Sequence, residues 1–130
     1  MSTPSVDGKP LTIYRNRLAQ WVFTFNATPC EGRFNYLAEG DVVSFKVWSG
    51  VDGSLLLEVT SDEESSEQTS GVEITQFDAP ASYQVTISPS DTNTIPAGRQ
   101  QYEVSIAQVA RPGQFFVTCR GVAVVLPSPG

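Results

Sequence analysis

The chain has 130 residues, 40% of them apolar and 17% charged, the size and balance of one globular domain with one core. Fourteen Asp and Glu against two Lys and six Arg leave a net charge of −6, too little clustered positive charge to neutralise a nucleic-acid backbone. Histidine is absent, which removes the commonest general base, the usual partner of a Ser or Cys nucleophile and the commonest metal ligand.

In chain order, residues 1–10, MSTPSVDGKP, contain Pro and Gly and no apolar run, so they read as a flexible N-terminal arm without a secretory signal. The expectation is a protein made and kept in a cytoplasm. Strand patterns follow at Leu11 to Tyr14 and Gln20 to Asn26; in the second, Trp21, Phe23 and Phe25 share one face that should point inward. Arg15 and Arg17 flank Asn16 in the turn between them, where Asn tolerates a left-handed backbone. Solvation is the default for both arginines. Asp41 to Ser49 puts Val43, Phe45 and Val47 on one side and Ser44, Lys46 and Trp48 on the other. Trp48 is the exception on a polar face: it either covers the rim of the core or is a contact residue for a partner.

Ser49-Gly50-Val51-Asp52-Gly53 then supplies the positive φ of a tight hairpin into Ser54 to Thr60. Ser61 to Ser70, SDEESSEQTS, reads as a solvated loop; a calcium site is the alternative, but the run lacks the spacing of a calcium loop. Strands follow at Gly71 to Gln76 and Ser82 to Ser88. Ser90 or Asp91 can cap one helical turn reaching Ile95, Pro96 ends it, and Gly98 redirects the chain into Gln100 to Val109, with Tyr102, Val104 and Ile106 facing the core. Such a turn suits a crossover between two sheets. Ala110 to Gln114 reads as a second hairpin, leading into Gln114 to Leu126, and residues 127–130 as a tail. Strands at this spacing indicate an all-β sandwich or barrel over residues 11–126, with one short helical crossover.

Reactive chemistry is hard to find. Cys30 and Cys119 lie 119 − 30 = 89 positions apart, with no metal-type spacing. Two partly buried thiols are expected, with a disulfide open to the chain in an oxidising medium. Asn26-Ala27-Thr28 matches a glycosylation sequon, a chance match in a protein without an export signal. No stretch is long and apolar enough for a membrane helix; Val122 to Leu126 is the best. No nucleophile elbow, phosphate loop or dinucleotide fingerprint occurs. Glu58, Glu73 and Glu103 are the carboxylates to consider for glycosidic chemistry, but Glu58 and Glu103 fall on the polar faces of their strands. Neither an enzyme nor a cofactor or metal is expected.

The segments LTIYRNRLAQWVFTF, GDVVSFKVW, LLLEVTS, GVEIT, YQVTISPSDTNTIPAGRQQYEVSI and FFVTCRGVAVVLP together resemble a small β-sandwich domain of tailed bacteriophages. That domain type occurs at the N-terminus of some upper-baseplate proteins and as short stand-alone virion proteins. The resemblance spans roughly residues 11 to 126. Asp91-Thr92, Ile95-Pro96-Ala97-Gly98, Tyr102 and Arg120-Gly121 stand at the family's positions, whereas Asn16 replaces a usual Gly and Arg99-Gln100-Gln101 delays an aromatic. The resemblance implies an all-β, immunoglobulin-like antiparallel sandwich of about 7–8 strands serving as a structural virion protein, either a capsid decoration (cement) protein or a tail or baseplate component. It would be assembled in the bacterial cytoplasm and bound to the major capsid protein or to tail proteins, and to copies of itself, with no nucleic acid or membrane. Its contacts would run through edges, loops and termini. Ser2, Thr3, Pro4, Ser5 and Val6 are the candidate contact residues in the arm, and Tyr14, Tyr36 and Trp48 those on the body. If the three aromatics gather on one face, the alternative is a carbohydrate- or cell-surface-binding module.

Overall fold

The computed structural model describes residues 5–6, 9–24, 37–61, 70–78, 81–109 and 115–127. Phe25, the Asn26 sequon, Cys30, the acidic run 62–69 and the hairpin at 110–114 fall outside them. Among the described residues, nine strands and one helix occur in the order β1 (Ser5–Val6), β2 (Leu11–Tyr14), β3 (Ala19–Thr24), β4 (Val42–Trp48), β5 (Leu55–Thr60), β6 (Gly71–Gln76), β7 (Ser82–Ile87), α1 (Pro89–Thr92), β8 (Gly98–Ala107) and β9 (Phe115–Leu126). They form a four-stranded sheet, β1-β3-β7-β6, and a five-stranded sheet, β2-β9-β8-β4-β5. With the first strand divided between the sheets, β3 to β9 take the places of strands B, C, C′, D, E, F and G of an immunoglobulin-like sandwich.

Two details depart from the sequence reading. The strand pairs are antiparallel except at the start of the chain, where β1 pairs parallel with β3 and β2 parallel with β9. The turn after β2 carries the chain to the opposite sheet, so β2 makes no hairpin with β3 and lies beside the final strand, which runs the same way. The second departure is β1 itself. Ser5 and Val6, expected in an unpacked arm, lie in register with Val22 and Phe23. Two residues between Pro4 and Gly8 carry no periodicity from which a strand could be read.

Alternation of apolar residues fills the space between the sheets. Burial alternates along β3 and β4, with Trp21, Phe23, Val43, Phe45 and Val47 all inside. At the centre, Phe23 of the first sheet meets Phe45 and Tyr102 of the second at ring-centroid distances of 6.0 and 6.3 Å. Tyr83 stacks on Phe23 at 5.7 Å, Phe45 on Tyr102 at 5.8 Å, and Trp21 on Phe45 at 5.7 Å. Phe23 and Tyr102 occupy strands B and F, which a disulfide joins in antibody domains; here aromatic packing joins them. The Tyr102 hydroxyl is satisfied by the Lys9 carbonyl at 2.6 Å and lies 3.6 Å from the buried Cys119 sulfur.

A helical turn does cross between the sheets, but its cap and its end both differ from the expectation, since α1 stops at Thr92 with Asn93 as its C-cap, short of Ile95 and Pro96. Ser88, rather than Ser90 or Asp91, caps α1, its hydroxyl accepting from the Asp91 amide, and Pro89 begins the helix. Proline at the first helical position loses no hydrogen bond there, so a Ser-Pro pair places the start three residues earlier than the carboxylate suggests. Ser70 was assigned to a solvated loop; it is buried, donates to the Asp91 carboxylate and accepts from the Ser88 amide at 2.8 Å. On the other side, the buried Thr92 hydroxyl donates to the Arg17 carbonyl at 2.8 Å and accepts from the Arg17 amide at 3.2 Å. Arg15 reaches the Asn93 carbonyl at 2.9 Å, so it is tied to the crossover and not merely solvated. Asn16 has φ 64°, the left-handed turn expected of it.

Candidate functional site

The outward faces of β5, β4, β8 and β9 share a register that lines up their side chains in rows. Glu58 stands opposite Lys46, Lys46 opposite Glu103, and Glu103 opposite Arg120. Charges therefore alternate minus, plus, minus, plus across four strands. The Lys46 ammonium is 3.5 Å from Glu58 and the Arg120 guanidinium 3.3 Å from Glu103. Opposite charges on directly facing strand positions stabilise the pairing, and each exposed pair contributes about 0.2–1 kcal/mol.

The adjacent row is Leu55, Trp48, Gln101 and Val122, again one residue from each of the four strands. Trp48 faces outward, half-buried, with the Lys46 ammonium 6.0 Å from its ring centroid. A cation at that distance is drawn to the ring face and holds the ring in place. Trp48, Gln101, Glu103, Arg120 and Val122 line an open groove of about 540 Å³ together with Gly53.

The β4–β5 turn forms one wall. The Ser49 amide donates to the Ser54 carbonyl at 2.7 Å, and Gly53 has φ 73°, the reversal predicted from Asp-Gly. Asp52 accepts from the Ser54 amide at 3.0 Å and from its hydroxyl at 2.7 Å. These bonds, that of the amide first, hold its carboxyl below its ordinary value of 3.8. Gln100 ties the turn to β8: its side-chain oxygen accepts from the Gly50 amide at 2.9 Å and its side-chain nitrogen donates to the Pro96 carbonyl at 3.0 Å.

Of the residues singled out in the sequence, Trp48 is in this groove. Tyr14 is on the same face of the same sheet and 42% exposed, but β9 and β8 separate its strand from that of Trp48. Three strand spacings put roughly 14 Å between those strands, so the two rings form no shared platform. Ser5 and Val6 belong to the opposite sheet. Ser2, Thr3, Pro4 and Tyr36 lie outside the described residues. Glu73 is on β6 of the opposite sheet, apart from Glu58 and Glu103. Among the described residues no three acidic or cysteine side chains gather to hold a metal, and no helix is long and apolar enough to cross a membrane. The sequence reading named Gln101 and Arg120 only in the comparison with the family pattern and gave neither a site role. The signal that finds them is cross-strand register, which alternation within one strand does not contain.

Neither family models nor curated protein sequences give a match to this chain. The immunoglobulin-like sandwich is therefore where the evidence for its class rests, and fold alone does not specify function.

Proposed function

We propose that this protein is a non-catalytic structural component of a tailed-phage virion, of decoration, tail or baseplate type, acting by contact with neighbouring virion proteins. The sequence resemblance supplies the virion context. The observation that carries the contact role is the place of β5 at the edge of its sheet among the described residues. This strand ends the order of the five-stranded sheet, reads LLLEVT, and leaves Leu55 47% exposed. An edge strand without Pro or Lys, bearing consecutive leucines, is a template to which another chain adds a strand. Main-chain hydrogen bonds would give that contact its strength and the leucines its fit.

Mass spectrometry of purified capsids and purified tails tests the reading. The chain is expected in one of the two particles, and absence from both overturns it. The Leu55→Lys variant then tests the contact: the isolated domain should keep its stability, because the position is half-exposed at a rim, while incorporation into particles should fall at least about tenfold, the equivalent of about 1.4 kcal/mol. Undiminished incorporation would move the contact away from β5.

A further inference from the structure

We infer that the groove beside Trp48 is a binding site for a neutral oligosaccharide. The charged row beside it sums to zero: Glu58 and Glu103 against Lys46 and Arg120, each anion held by a cation within 3.5 Å. Neither an anionic nor a cationic ligand gains from such a row. Nucleic acid is disfavoured further, since its phosphates would approach a chain of net charge −6.

What the groove does offer suits hydroxyl groups around an apolar ring. The Trp48 indole is a broad face with negative charge above its plane, and the C–H side of a pyranose is apolar with slight positive charge. Gln101 has an amide that both donates and accepts, Glu103 accepts and Arg120 donates, so sugar hydroxyls have partners of both kinds. Gly53 leaves the wall low: a Cβ there would meet nothing within 4 Å, so a ring can approach the turn closely. The volume of about 540 Å³ is in the range of small-molecule sites and admits a short oligosaccharide. A folded protein partner fits less well, because a stable interface needs roughly 800 Å² on each side with an apolar centre, and here the charged row borders the Trp48 ring. The site lies on a sheet face and β5 presents a sheet edge, so a virion subunit could dock at the edge with the groove still open.

The test is a nitrogen–proton NMR titration of the whole chain with cello-, chito- and malto-oligosaccharides, and separately with a neutral peptide of similar length. Only two tryptophans are present, so the two indole signals report the buried core and the groove independently. With at least one sugar series the Trp48 indole and the Gln101 side-chain amide should shift saturably at about millimolar ligand, while the Trp21 indole stays still. Trp48→Ala should weaken that binding at least about tenfold and Glu103→Gln by a smaller factor, with peak dispersion showing both variants folded. If Trp48→Ala loses its dispersion, Gln101→Ala replaces it and should weaken binding severalfold. Absence of saturable shifts with all three series, binding unchanged in the variants, or saturation by the peptide alone would overturn the inference. Particle location does not enter this readout, so either proposal can fail while the other stands.

Discussion

Asp52 is fully exposed, yet its carboxylate has the Ser54 amide and hydroxyl as donors, which is how a short turn gains a preferred shape in water. Because the folded value lies below 3.8, this interaction stabilises the hairpin above that pH and is lost as pH falls through the lowered value. The Ser54 amide proton shift should therefore titrate with a midpoint below 3.8, and the Asp52→Asn variant should show no such step. A midpoint at or above 3.8 would mean that the carboxylate is not held by Ser54. The Asp-Gly pair made this turn legible, since local chemistry alone dictates it. Ser88 was less legible: three hydroxyl or carboxylate residues compete for one cap, and the buried Ser70 decides among them from 18 residues away.

At the scale of elements, the β4–β5 hairpin and the start of β8 form one unit through Gly50 and Gln100. A Cβ on Gly50 would collide with the Arg99 carbonyl, a backbone atom that cannot swing aside. Gly50→Ala should therefore cost about 1–3 kcal/mol, the usual range for overpacking, seen as a lower urea midpoint with an unchanged slope. It should also disturb Gln101 and Trp48 signals more than those of β6 or β7. An unaffected midpoint would show that the turn drifts freely from β8. The extents of β2 and β6 were readable to the residue, and β4, β5 and β7 to within one residue at either end, because each alternates cleanly or is bracketed by turn residues. The parallel placement of β2 was not readable. Its four residues, LTIY, have the same alternation whichever neighbour they take, and the choice is made by the path of the chain across the sandwich.

For the molecule as a whole, the two sheets are joined by rings in place of a covalent bridge between strands B and F. Phe23 touches Phe45, Tyr83 and Tyr102, so Phe23→Ala should destabilise the domain by about 3–5 kcal/mol. Tyr102→Phe keeps the ring and removes the hydroxyl with its bond to Lys9 and its contact with Cys119, and should cost about 0.5–1.5 kcal/mol. Urea denaturation of both variants checks the order; equal losses would mean that the hydroxyl, not the ring, fastens the sheets. That these aromatics would be internal was visible from alternation within β3, β4 and β8. That Glu58, Lys46, Glu103 and Arg120 would stand in one line was not, because each comes from a different strand and only pairing register sets them level.

The side-by-side course of β2 and β9 also governs how the domain meets tension. Drawn backward at β2 and forward at β9, the pair is loaded along its length, so four matched residues must yield together instead of unzipping singly. A pulling experiment would register that as one abrupt rupture, the behaviour of a tether able to hold under strain.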